Sequence, residues 1–376
     1  MTPDWLIFRG TGEPHDGISR LPPPPHWRDF DGGPVTTGTP PLGSESTRRL
    51  GTRRPSGVPT LSWRPEELEL INAALYLRRP LLVTGDPGSG KSTLAHALAH
   101  ELGLGRVLHW PIVSRTTLRE GLYTYDAIAR LQDMQLSRQG PRPAAPGPSR
   151  PRRTGLGAAR RAGPRPAARR PARGRTEDIG GYLRLGPLGT ALLPHDRPRV
   201  LLVDELDKSD IDLPNDLLTA LEEGEFAIAE LERITGTQER VEVLTDDGGR
   251  APVAQGRVRC RAFPVVVMTS NGERDFPAPL MRRCLHLDLP SPKNDQWGAD
   301  RLAAMVRAHF GTADPERNDA LVRHFLESSP GSLRAADQLL NAIYLTQQAV
   351  RETEPDRQRL AELLMRPLDQ GGQGPR

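Results

Sequence analysis

Few folds accommodate the run Gly85-Asp86-Pro87-Gly88-Ser89-Gly90-Lys91-Ser92, which fills every required position of a phosphate-binding loop and continues into Thr93. The apolar run Leu81-Leu82-Val83 before it reads as a buried strand. Residues 92–102 after it read as a helix stopped by Gly103. In that context the glycines let backbone N–H groups curl around β- and γ-phosphates, and the helix N-terminus favours the anion. Lys91 supplies a cation to a transferring phosphoryl group, and the Ser92 hydroxyl can ligate Mg²⁺.

The rest of the chain fits an α/β sheet built around that unit. Further strands are expected at 107–113, 200–203, 264–269 and 285–289, separated by helical or irregular stretches. A helix should begin at Pro65-Glu66-Glu67, where proline and acids suit the first turn. Residues 241–244, Asp246-Asp247-Gly248-Gly249 and 258–263 read as a β-hairpin with an acidic glycine turn, an insertion at 241–263. Past residue 292 the apolar spacing turns helical (Leu302, Met305, Val306; Leu321, Val322, Phe325; Leu339, Leu340, Ile343). The expected fold is a five-stranded parallel αβα sandwich over 61–291 with a small helical lid domain over 292–366, ATP lying where the two meet.

Composition sets the limits of that core. Only 36% of the chain is hydrophobic, and the prolines and glycines concentrate in 1–60 and 138–175. Segment 1–60 is expected to be mostly disordered, although Trp5, Trp27 and Phe30 are aromatics able to dock on the body of the fold. Residues 367–376 are expected to be a disordered tail. Segment 138–175 holds twelve arginines and no acid, so the remainder carries 39 basic residues against 47 acidic ones, net −8 rather than +4. The basic character therefore belongs to a disordered insert, which would bind nucleic acid only nonspecifically.

Two carboxylates follow the strand at 200–203. Asp204 is placed to hold magnesium through water, and Glu205, pointing elsewhere, can polarise an attacking water. The strand at 264–269 ends in Ser270-Asn271-Gly272, where Asn271 either orients that water or simply makes a turn.

The order of phosphate loop, Asp-Glu strand, strand-end Asn and Arg-Arg before a strand resembles an AAA+ ATPase. The MoxR-like branch is suggested by Gly186-Pro187-Leu188, by Asp204-Glu205-Leu206-Asp207-Lys208, by Pro214-Asn215-Asp216-Leu217-Leu218 running into Leu221-Glu222-Glu223-Gly224, and by Thr269-Ser270-Asn271. The resemblance covers about residues 61–137 and 176–350. It implies Walker A at Lys91 and Ser92, Walker B at Asp204 and Glu205, and sensor 1 at Asn271. It also implies an arginine finger at Arg282 or Arg283, with Arg283 the better match, and sensor 2 at Arg334. The resemblance also implies a ring, hexameric in form, and a chaperone-like action on a client, often one with a von Willebrand factor A domain.

Cys260 and Cys284 cannot form a disulfide framework, residues 1–10 lack the features of a signal peptide, and no apolar run reaches membrane-spanning length. A cytoplasmic protein is the expectation. Two alternatives remain open on these residues: a nucleic-acid-associated regulator using the insert, and a scaffold that binds nucleotide without turnover.

Overall fold

Apolar runs without alternation make strands only where both faces of the sheet are covered. The computed structural model describes residues 4–51, 62–138, 179–291, 295–311, 315–327 and 336–348, with 359, 364 and 365. Five strands pair in parallel, the three central ones built on such runs and the two edge strands interrupted by polar residues: β1 (Leu81–Gly85), β2 (Leu108–Pro111), β3 (Val200–Asp204), β4 (Val265–Thr269) and β5 (Leu285–Leu289), in the spatial order β5-β1-β4-β3-β2. Leu81 sits opposite Val267 on one side and Leu285 on the other. Asp204, at the tip of β3, lies beside Pro111 of β2.

Alternate residues feed two separate cores. Leu81, Val83, Val200, Leu202 and Val267 pack on Leu94 and Leu98 of the Lys91–Glu101 helix and on Leu68 and Ile71 of the Pro65–Leu77 helix. Leu82, Leu201, Val203, Val266 and Met268 face the other way, onto Leu217 and Leu221 of the Leu213–Glu223 helix. Three helices (Gln296–Phe310, Pro315–Glu327 and Ala336–Gln348) extend the first core through Leu302, Phe325 and Leu339. No helix among the described residues is long and apolar enough to cross a membrane.

The structure revises the reading of the N-terminal segment. Leu6, Ile7 and Phe8 are buried in the first core rather than mobile. Two buried polar side chains explain this where composition could not. Asn72 Oδ1 accepts from the N–H groups of Ile7 (2.6 Å) and Phe8 (2.9 Å), while its Nδ2 donates to the Phe8 carbonyl. The Glu101 carboxylate accepts from the N–H groups of Arg9, Gly10 and Gly12. Trp5 meets Tyr76 edge to face, and Phe30 stacks on Phe263. Trp27 stays 69% exposed. Residues 52–60 lie outside the described residues.

Asn72→Ala strips three buried backbone groups of their partners, each worth roughly 1–3 kcal/mol. The expected result is a loss of about 3 kcal/mol or more in urea unfolding, with new tryptic cleavage at Arg9. An unchanged urea midpoint would show that the strap does not contribute to the stability of the core.

The hairpin also differs in its second strand. Arg240–Leu244 pairs with Arg250–Ala254 across the acidic glycine turn, while Arg257–Arg259 touches that strand only at Ala254 and pairs along its length with Glu225–Ala227. Ala251 and Val253 are the inward residues of Arg250–Ala254, and Pro252 between them masks the alternation in the sequence. With Tyr123–Tyr125 and Leu183–Leu185 these strands form a second, six-stranded sheet. Its three-residue strands are too short to leave a periodic signal. Beyond Arg138, the arginine-rich insert lies outside the described residues, as does 367–376.

Candidate functional site

The loop after β1 turns sharply before the Lys91–Glu101 helix begins. Gly88 and Gly90 adopt φ of 82° and 91°, and a Cβ on Gly88 would sit 2.5 Å from the backbone nitrogen of Ala336. Lys91 is 7% exposed, and its ammonium donates to the carbonyls of Gly85 (2.6 Å) and Asp86 (2.9 Å). Burial lowers its pKa, opposed by the nearby Asp207, Asp86, Asp204 and Glu205 carboxylates. Ser89 Oγ is buried without a hydrogen-bond partner among the described residues. A helix N-terminus, a buried cation and an unsatisfied hydroxyl around one glycine loop fit a polyphosphate.

Across the cleft, strand order brings β3 and β4 beside β1. The Asp204 Oδ1 accepts from the hydroxyls of Ser92 (2.7 Å) and Thr269 (2.6 Å), and its Oδ2 lies 3.2 Å from His109 Nε2. Burial would raise the pKa of this carboxyl, but the hydrogen bonds from His109, Thr269 and Ser92 hold it well below the usual carboxylate range. An ionised carboxylate next to a serine hydroxyl is a hard oxygen pair that suits magnesium, which takes few protein ligands and completes its shell with water and phosphate oxygens.

Glu205 occupies the left-handed region at φ 61°, a conformation costing a non-glycine residue of order 1 kcal/mol. The Thr269 hydroxyl accepts from the Glu205 N–H (2.9 Å), and Lys208 Nζ donates to Glu205 Oε2 (2.6 Å). The Asn271 N–H donates to the buried Asp207 carboxylate (2.9 Å), which also receives the Glu273 N–H. Asp207 thereby fixes the turn that carries Asn271. A cleft of about 440 Å³ is lined by Lys91, Ser92, Thr93, Asp204, Glu205, Thr269 and Asn271, so the sequence-selected residues of the three strand tips converge on one space.

Arg282 and Arg283 do not join them. Arg283 ends the Ala278–Arg283 helix, pairs with Glu222 at 2.5 Å, and receives Arg79 Nε on its carbonyl. Arg282 is exposed, and its carbonyl accepts from Arg79 Nη2. Both precede Leu285, which pairs with Leu81 at the start of β1, whereas the phosphate loop leaves its far end. Four residue steps at about 3.3 Å put roughly 13 Å of sheet between them. Arg334 lies outside the described residues, although Ala336 and Asp337 just after it line the cleft.

Sequence reasoning passed over His109 and Arg49, the latter also lining the cleft, and named Asp207 only within a motif, without a role. His109 was detectable in principle: it is the polar residue between Leu108 and Trp110 on the strand next to Asp204. Arg49 carried no such signal.

Residues 80–284 match the family model described as an AAA domain of the dynein-related subfamily. A comparison with curated proteins finds no match. Among solved structures, NtrX from Brucella abortus in complex with ADP is similar at 13% identity and a TM-score of 0.38, covering 83% of this chain and 56% of that one. The same protein in complex with ATP gives 13%, 0.37, 83% and 57%. PCH-2 of C. elegans gives 12% and 0.36, over 86% of this chain and 70% of its own. The chain thus spans little more than half the length of NtrX.

Proposed function

Since the chain belongs to the dynein-related subfamily of AAA domains and is an ATPase, we propose that it hydrolyses MgATP in the cleft between the phosphate loop and the helical lid, as a ring-forming machine that remodels a partner protein. The observation that carries this reading is the junction of Ser92, Thr269 and Asp204 beside the buried Lys91. Lys91 binds and neutralises the β- and γ-phosphates. Ser92 and Asp204 hold magnesium, which supplies charge neutralisation on the transferring phosphoryl.

Glu205 takes a proton from the attacking water once Lys208 releases it, and Asn271 orients that water. The two roles separate because Asp204 is locked by three hydrogen bonds whereas Glu205 is about 44% exposed and held by a single lysine. Arg283 acts on the nucleotide of a neighbouring subunit, and Arg334 on its own.

The finer assignment is to the MoxR-like branch, on the motifs at 186–188, 204–208, 214–224 and 269–271. From it follow a hexameric ring, a cytoplasmic setting and a client that carries a von Willebrand factor A domain. A ring is expected to form in ATP and to persist in Glu205→Gln, whose turnover is blocked. Light scattering of the purified protein with and without MgATP checks this. A particle that stays monomeric while still hydrolysing ATP would rule out the ring, and pull-down with the assembled Glu205→Gln protein identifies the client.

A further inference from the structure

Arg49 reaches the cleft from a part of the chain that composition marks as a leader. It sits on the short helix Ser44–Leu50, and its side chain, about one-third exposed, lines the same space as Lys91, Ser92 and Thr93. Two contacts and a buried side chain hold that helix in place. Ser46 Oγ lies 2.8 Å from His96 Nδ1, one turn along the helix from Ser92, and both residues are 1% exposed. Leu50 is 3% exposed. Gly51 presses on the lid, where a Cβ would stand 2.3 Å from the Ala308 carbonyl oxygen.

The guanidinium itself is held loosely. Its ion pair is with Glu45, four residues earlier, at 3.5 Å. Exposed pairs of this kind are worth about 0.3–0.5 kcal/mol. The neighbouring His96 imidazole is pushed down to about 4, first by burial and then by the Arg49 charge, so it is neutral at pH 7 and does not compete for anions. A rigid helix presenting a weakly paired guanidinium at the rim of a polyphosphate cleft provides a bidentate phosphate donor.

We propose that Arg49 is a phosphate ligand of the bound nucleotide, contributed in cis by the N-terminal segment, which thereby joins the phosphate loop and the lid as a third wall of the site. The inference rests on the nucleotide-binding reading of the cleft. On binding, Arg49 exchanges Glu45 for a phosphate oxygen. Because Gly51 sets the end of the same helix against Ala308 of the lid, nucleotide occupancy is felt by the strap and the lid together.

Titration of fluorescently labelled ADP is the test. Arg49→Ala is expected to weaken binding roughly 10- to 100-fold, the scale of a lost hydrogen-bonded ion pair. Arg49→Lys should recover part of the loss, since a point charge remains. Glu45→Ala, which frees the guanidinium, should leave affinity unchanged or improve it. If Arg49→Ala binds within about twofold of the parent while Lys91→Ala loses binding, the proposal is overturned and the nucleotide reading stands. Should Glu45→Ala weaken binding as much as Arg49→Ala, Arg49 serves only to hold its helix, and the proposal fails again. Undiminished binding in Lys91→Ala would remove the nucleotide reading itself. If Arg49→Ala does not fold, Arg49→Gln, which keeps the stem, is read by the same criteria.

Discussion

Lys91→Ala is expected to abolish nucleotide binding, whereas Glu205→Gln binds as well as the parent and stops turning over. The two residues lie within one cleft, yet their surroundings separate their effects. Lys91 is buried with its ammonium on the Gly85 and Asp86 carbonyls, and phosphate oxygens would replace those weak acceptors with charged ones. Losing a cation in such a site costs about 3 kcal/mol or more, at least roughly a hundredfold in affinity. Glutamine at 205 keeps the shape and the Lys208 contact but cannot take a proton, which costs about 10²–10⁴-fold in rate. Calorimetric titration with MgATP separates the outcomes. Equal loss of binding in both variants would contradict the assigned roles.

The parts of this molecule legible in its sequence are those where one residue type is forced. The three central strands carry apolar runs because a parallel sheet buries both faces, the edge strands are broken by His109 and by His286 and Asp288, and all five fall within a few residues of their expected positions. Gly88 is dictated by its approach to Ala336. Residues acting through long-range contacts leave no such trace. Asn72 and Glu101 look like ordinary polar helix positions, yet between them they accept five backbone N–H groups of residues 7–12 and order a segment whose composition alone suggests mobility. Arg49 is one of many arginines until the Ser46–His96 contact and the Gly51–Ala308 approach set it at the cleft. The second sheet escaped because strands of three residues carry too few alternations, and Pro252 breaks the pattern of the longer Arg250–Ala254.

Arg283→Ala is expected to lower the ATPase rate by about 10³–10⁵-fold, the effect of a finger arginine supplied in trans, while leaving nucleotide affinity within about twofold of the parent. Its position requires this asymmetry. Arg283 stands at the opposite end of the β1–β5 pair from the phosphate loop and is paired with Glu222 on the surface, so it cannot serve its own cleft without dismantling the start of β5. The same place suits a neighbour, because the side chain is 47% exposed and Glu222 is a partner it can exchange for a phosphate. Complementation tests the geometry directly. Lys91→Ala and Arg283→Ala should each be nearly inactive alone, and mixing them should restore activity, since some interfaces then combine an intact phosphate loop with an intact arginine. With mixed assembly verified, an absence of recovery at every ratio would place Arg283 outside the reaction and leave its bond to Glu222 as its whole role.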